Sequence, residues 1–181
     1  MADVPALNAL IAASARGLSA GYYSPRQVEA LIAFVFGVDT QLIADGTYYV
    51  IETAGGVPAA AGGWSARRTL YGGDQMKAGA GDPRLDPASE PARIRAFFVD
   101  PAWARRGLAR RLHVACAEAA RAAGFGAVEL MATLPGEPFY ESLGFVAIER
   151  VEATLPGGVV VPLVRMARSL ASAPGADPTA G

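Results

Sequence analysis

The stretch from Ala92 to Thr133 constrains this chain more than any other. "ARIRAFFVD" (92–100) reads as a strand, and "PAWARRGLARRL" follows it, with four arginines grouped around Gly107. An alanine-rich helix then runs from about Gly107 to Ala123. Leu108, Leu112, Ala115, Cys116 and Ala119 mark its expected inner face, and Gly124 and Gly126 end it. "AVELMAT" (127–133) is a second strand. A strand–helix–strand crossover of this kind requires a parallel pair inside a sheet.

The remaining elements arrange themselves around that unit. Residues 3–17 predict a helix, with Val4, Leu7, Leu10, Ile11 and Ala15 along one stripe. Ser24 as cap and Pro25 at the first helical position start a second helix, which Gly37 ends. "TYYVIET" (47–53) is a strand by its β-branched and aromatic content, and after Gly55-Gly56 residues 57–71 return antiparallel to it. Glycine, proline, aspartate and serine dominate from Gly72 to Pro91, a connection long enough to be functional or mobile. A short helix is expected in "PFYESLG" (138–144), then a hairpin across Pro156-Gly157-Gly158. The fold class is α/β (α+β): one domain over 1–171, with a mostly antiparallel central sheet flanked by helices. Residues 172–181 are small and polar and are expected to be disordered.

Charge and composition narrow the function classes. Sixteen basic residues against seventeen acidic ones argue against broad capture of nucleic acid or an anionic membrane, so the arginine cluster must act locally. A single cysteine, Cys116, excludes an intrachain disulfide framework and a cysteine-rich zinc site; no metal is expected, and a reducing cytoplasm is the simplest location. The N-terminal segment lacks the basic start and unbroken apolar block of a signal peptide, and no window approaches the roughly 18 uncharged apolar residues that span a bilayer.

The arginines sit where a strand turns into a helix. The first turn of a helix carries unpaired N–H groups and the positive end of the dipole, and Gly107 lets main chain approach a ligand closely. Together they suit a pyrophosphate. A solvent-facing basic helix start is the alternative. No GxxxxGK[ST] or GxGxxG sequence is present here.

These residues resemble the acetyl-CoA motif of the GNAT superfamily of N-acetyltransferases: a strand, a proline-containing turn, [Q/R]xxGx[G/A], then a helix. Gly107 is the motif glycine and Ala109 the following small residue, while Ala104 stands where Gln or Arg begins the motif. The resemblance implies that the main chain of Arg105, Arg106, Gly107, Leu108, Ala109 and Arg110 wraps the pyrophosphate of acetyl-CoA. It places Phe97, Phe98 and Val99 beside the pantetheine and acetyl group. "PFYESLGF" (138–145) is similar to the family's FYxxxGF segment, which makes Tyr140 the phenol near the CoA sulfur. Thr133 occupies the position of a common asparagine that contacts pantetheine or substrate. The family's fold opens with a strand before its first helix, and here that strand is expected to be missing.

Acetyl transfer to an amine requires deprotonation of the amine, stabilisation of the carbonyl oxygen and protonation of the leaving thiolate. The resemblance implies a backbone N–H near Val99 for the carbonyl, and Tyr140 as the acid. No base is evident: Arg93 aligns where some relatives carry a glutamate, and Glu52, Asp74, Glu137 and water remain open. His113, the one histidine, is expected on the surface, and Cys116 as a small buried hydrophobe rather than a nucleophile. Tyr22, Tyr23 and Trp64 are candidate walls of an acceptor pocket, with ordinary core as the other reading. The function implied is an acetyl-CoA-dependent N-acetyltransferase acting on a primary amine of a small molecule or protein by direct attack in a ternary complex. The alternatives are a non-catalytic acyl-CoA-binding sensor and a nucleic-acid module. A monomer and a homodimer both stay open.

Overall fold

The computed structural model describes residues 3–77 and 81–171; the expectation for the 172–181 tail lies outside them. At the centre of the sheet β3 (Ala92–Val99) and β4 (Ala127–Thr133) run parallel, joined through α4 (Leu108–Ala122). Beyond β3 lie β2 (Pro58–Ser65) and β1 (Tyr48–Glu52), each antiparallel to its neighbour. Beyond β4 lie β6 (Val159–Ser169) and the edge strand β5 (Val146–Leu155). The order is β1-β2-β3-β4-β6-β5. Gly157 and Gly158 both take positive φ (78° and 70°) at the β5–β6 turn, as a tight hairpin requires.

Helix α1 (Val4–Leu18) precedes every described strand. Helix α2 (Pro25–Phe34) starts on a complete capping box, with Ser24 and Gln27 serving each other's backbone N–H. A third short helix, α3 (Thr40–Ala44), was not anticipated; Asp39 caps it by accepting from Gln41 N. Helix α5 (Glu137–Glu141) follows β4.

Both faces of the sheet are covered. On one, Cys116, Ala117 and Ala120 of α4 pack on Ala92 and Ile94 of β3, Val128 and Leu130 of β4 and Val164 and Met166 of β6. On the other, Leu31 and Val28 of α2 meet Val161 and Leu163 of β6, while Leu7, Leu10 and Ile11 of α1 gather with Ala61 of β2. Alternation along β6 therefore feeds two cores. Two expectations are corrected here. His113 is buried at 2% exposure, edge-on to Phe145, because α4 is rotated from the expected stripe and buries 113, 117 and 120 instead of 115. Trp64 also lies in the α4-side core, edge-on to Phe125.

Two features of the central strands position the site. First, β3 and β4 are paired only through Ala92↔Val128 and Arg93↔Glu129, and they part beyond that point. Buried Glu129 holds the junction, bonded to Arg93 of β3 at 2.7 Å and to Arg165 of β6. Second, β3 bulges: Ala96 and Phe97 together face the single Gly62 of β2, and Ala96 adopts φ 55°. A left-handed alanine costs about 1 kcal/mol, and the bulge bends the strand away from β4.

Candidate active site

A cavity of about 270 Å³ opens where the two strands diverge. Its walls are Ile94 to Val99 of β3 and Leu130 to Thr133 of β4, with Pro135, Gly136, Phe139 and Tyr140 from the turn and helix that follow. Ser14, Ala15 and Leu18 of α1 and Ser19 just past its end close it on the other side, together with residues 35–37 and 70–73. Phe97, Phe98, Val99, Ala109, Thr133 and Tyr140 are thus brought to one cavity.

Arg105, Arg106 and Gly107 are exposed at the entrance to α4. Gly107 is the N-cap, with φ 79°, no side-chain cap bond and no acidic residue in the first turn, so the donors of that turn lack an internal partner. Arg105 also takes a left-handed φ of 62°. The Arg106 guanidinium stacks over Trp103 at 4.6 Å, a support that the sequence reading did not include. Leu108 turns inward against Ala59 and Ala60, and Arg110 reaches Ser142 Oγ at 3.5 Å, linking α4 to α5.

Tyr140 packs among Phe97, Phe139 and Phe145, with ring centroids 6.4, 5.1 and 5.6 Å away. Burial, and to a lesser degree the neighbouring Cys116, raises its hydroxyl pKa above the ordinary tyrosine value, so it stays protonated at neutral pH. Burial pushes the Cys116 thiol up to about 12, which keeps it a neutral hydrophobe.

The aromatic acceptor candidates separate. Tyr22 is 51% exposed and Trp64 belongs to the core described above; neither lines the cavity. Tyr23 is buried, its hydroxyl donating to Pro162 O at 2.7 Å and accepting from Leu134 N at 2.9 Å. It therefore fixes the turn after β4 from behind.

Of the carboxylates considered, Glu52 is exposed, Asp74 caps Thr40 N and pairs with Lys77, and Glu137 pairs with Arg150 at 2.7 Å. None lies on the cavity wall. Sequence reasoning missed Arg95, the charged residue on that wall. It is 2% exposed and donates to Asp39 Oδ2 (2.8 Å), Thr69 O (2.8 Å) and Gly72 O (2.6 Å). Burial lowers its pKa and Asp39 opposes that shift, so the pair survives as an ion pair that staples the 69–73 segment over the cavity. Its alternation with Ile94 was the available signal, since β3 is covered on both faces.

The model of the acetyltransferase (GNAT) domain family matches residues 74–164, which spans the bulged strand, the arginine turn, α4 and Tyr140. The chain belongs to the GNAT acetyltransferases. It is accordingly an acyltransferase, and its six-stranded sheet with flanking helices is the GNAT fold. Among solved structures it is similar to a GCN5-related N-acetyltransferase from Rhodopseudomonas palustris (TM-score 0.67, 20% identity, 93% of this chain and 90% of that one). A GCN5-related N-acetyltransferase from Kribbella flavida aligns at TM-score 0.56 and 21% identity, covering 93% and 92%. The PaiA N-acetyltransferase from Thermoplasma acidophilum, solved in complex with coenzyme A, aligns at 0.59 and 12%, covering 93% of each chain. No curated protein sequence matches. No helix among the described residues of this GNAT chain is long and apolar enough to cross a membrane, and no group of three or more potential metal ligands occurs among them.

Proposed function

We propose that the protein transfers an acetyl group from acetyl-CoA to a primary amine by direct attack in a ternary complex. The observation that carries this reading is the wedge between β3 and β4, which leads from the uncapped start of α4 to Tyr140. The residues fit the donor in two ways. The open donors and arginines at Arg105–Arg110 suit a diphosphate, and the narrow, largely apolar gap past Phe97–Val99 suits an extended pantetheine arm. The thioester supplies an activated acyl carbon.

Within that frame the chain's own residues have separate tasks. Gly107 and its neighbours hold the diphosphate by main chain, and Arg106 is steadied by Trp103. Phe97 and Phe139 exclude water around the sulfur, and Tyr140, held protonated by burial, delivers a proton to the departing thiolate. The cavity offers no carboxylate among the described residues, so the proton that the attacking nitrogen gives up passes to water. A cysteinyl intermediate has no support, because Cys116 is a buried thiol. The lone thiol favours a reducing cytoplasm.

Calorimetry with coenzyme A and acetyl-CoA, followed by a panel of amines read out by free-thiol release, tests the reading. Binding of both with thiol release dependent on an amine is expected. Binding without turnover on any amine would leave an acyl-CoA sensor, and absence of binding would overturn both.

A further inference from the structure

The cavity is lined from both faces of the sheet. Ala109, Phe139 and Tyr140 belong to the α4 side, where the arginine turn lies, whereas Val35, Tyr71, Met131 and Leu163 belong to the α2 side. A donor held at Arg105–Arg110 leaves that second end to the acceptor. Helix α1 is pinned beside it: the Val99 N–H, expected at the carbonyl, donates instead to Ser14 Oγ at 3.2 Å, and Leu18 follows one turn later. The 70–73 segment is fixed as well, by Gly73 N to Val35 O at 2.8 Å and by Arg95 to Gly72 O at 2.6 Å. The acceptor end is therefore a preformed pocket, whose lining can be read as a specificity.

That lining is apolar and without net charge. Leu18, Val35, Leu70, Tyr71, Met131 and Leu163 supply most of it, and Ser19 adds a hydroxyl. Arg95, the charged side chain on the wall, is already engaged by Asp39 Oδ2, Thr69 O and Gly72 O. Asp39 also accepts from Lys77, which pairs with Asp74 at 3.3 Å, so two cations and two carboxylates cancel beside the pocket. Resting on the acetyltransferase reading, we infer that the acceptor is a monoamine carried on an apolar body, with no second charged group. A diamine would press its far ammonium against Leu18 or Met131 with no carboxylate to receive it. An amino acid would bring a carboxylate that could reach Arg95 only by displacing Asp39. Either would bury a charge without a partner, which is costly.

The test gives the full chain one four-carbon body with three far ends: butylamine, putrescine and γ-aminobutyrate, with thiol release read at saturating acetyl-CoA. Butylamine should have the highest kcat/KM, and the two charged relatives should fall at least about tenfold below it. Leu18→Glu then places a carboxylate in the pocket, at a position 39% exposed where the fold tolerates it. This variant should raise kcat/KM for putrescine at least about tenfold relative to butylamine, and Leu18→Gln, of the same size without the charge, should not. A wild type that uses putrescine or γ-aminobutyrate within tenfold of butylamine, or a Leu18→Glu variant whose ratio does not move, overturns the inference and leaves the acetyltransferase reading standing. So does a wild type that acetylates other amines but none of these three. Acetyl-CoA bound without thiol release on any amine overturns both.

Discussion

Gly62 of β2 lies against the ring of Phe97: a Cβ on the glycine would stand 2.3 Å from Cδ1 and 2.7 Å from Cε1. The missing side chain is what lets the β3 bulge turn Phe97 toward Tyr140. Gly62→Ala should therefore cost about 1–3 kcal/mol by overpacking. It should also lower kcat/KM at least about tenfold, since displacing a wall residue by an ångström misplaces the reacting groups. Thermal unfolding and steady-state kinetics on the same sample check both.

Tyr140→Phe retains the ring that packs on Phe97, Phe139 and Phe145 and deletes only the hydroxyl. A fall in kcat of roughly 100-fold is expected, with the dissociation constant of coenzyme A nearly unchanged. An unaltered rate would remove Tyr140 from proton transfer.

At Gly107 backbone and charge can be separated. A Cβ there meets nothing within 4 Å, so Gly107→Ala carries only the penalty of φ 79°, about 1 kcal/mol. Gly107→Glu adds a negative charge that the helix start tolerates well but a diphosphate does not. Coenzyme A affinity measured by calorimetry should fall modestly in the first variant and at least about 100-fold in the second, with partial recovery at high salt.

Tyr23→Phe leaves Pro162 O and Leu134 N without their shared partner. Denaturant titration should show a loss of about 2 kcal/mol, the cost of stranding buried polar groups. KM for the acyl donor should rise, because the turn carrying Thr133 and leading to Tyr140 loses its brace.

His113 is held neutral. Burial first, then Arg168 and Arg110, lower its pKa to about 4 from an ordinary 6.5, so between those values the unfolded chain binds more protons than the folded one. Stability must therefore fall as pH drops through that window. Comparing wild type with His113→Leu in urea at pH 7 and pH 4.5 should reveal about 2 kcal/mol of additional acid sensitivity in the wild type.

How much of this was legible in the sequence depended on what each residue's burial required. The arginine turn, α4 and the glycine hairpin announced themselves through residues with one conformational purpose: Gly107, Gly157 and Gly158 all adopt positive φ. The face of α4 did not, because alanine is equally at home inside and outside, and a helix built on Ala115, Ala117, Ala119 and Ala120 leaves its rotation underdetermined. His113 was assigned to the surface for that reason. Trp64 was grouped with Tyr22 and Tyr23 because chain order does not say which face of β2 it occupies. Arg95 and Asp39 escaped notice since charges read as exposed unless their partner, more than fifty positions away, is known. Ser14 carried no signal at all; its meaning arises only where α1 crosses the open side of β3.

Glu129 sits where the two central strands are still in register, clasped by Arg93 and Arg165. Strands hinged at one end convert a small rotation there into a much larger change of width at the far end, where the chemistry is expected. Such a clasp acts like the rivet of a pair of dividers. Losing one partner of a buried ion pair costs about 3–5 kcal/mol, and here the damage would reach the distant tips as well as the rivet. Residues that never approach the acyl group can in this way set the grip upon it.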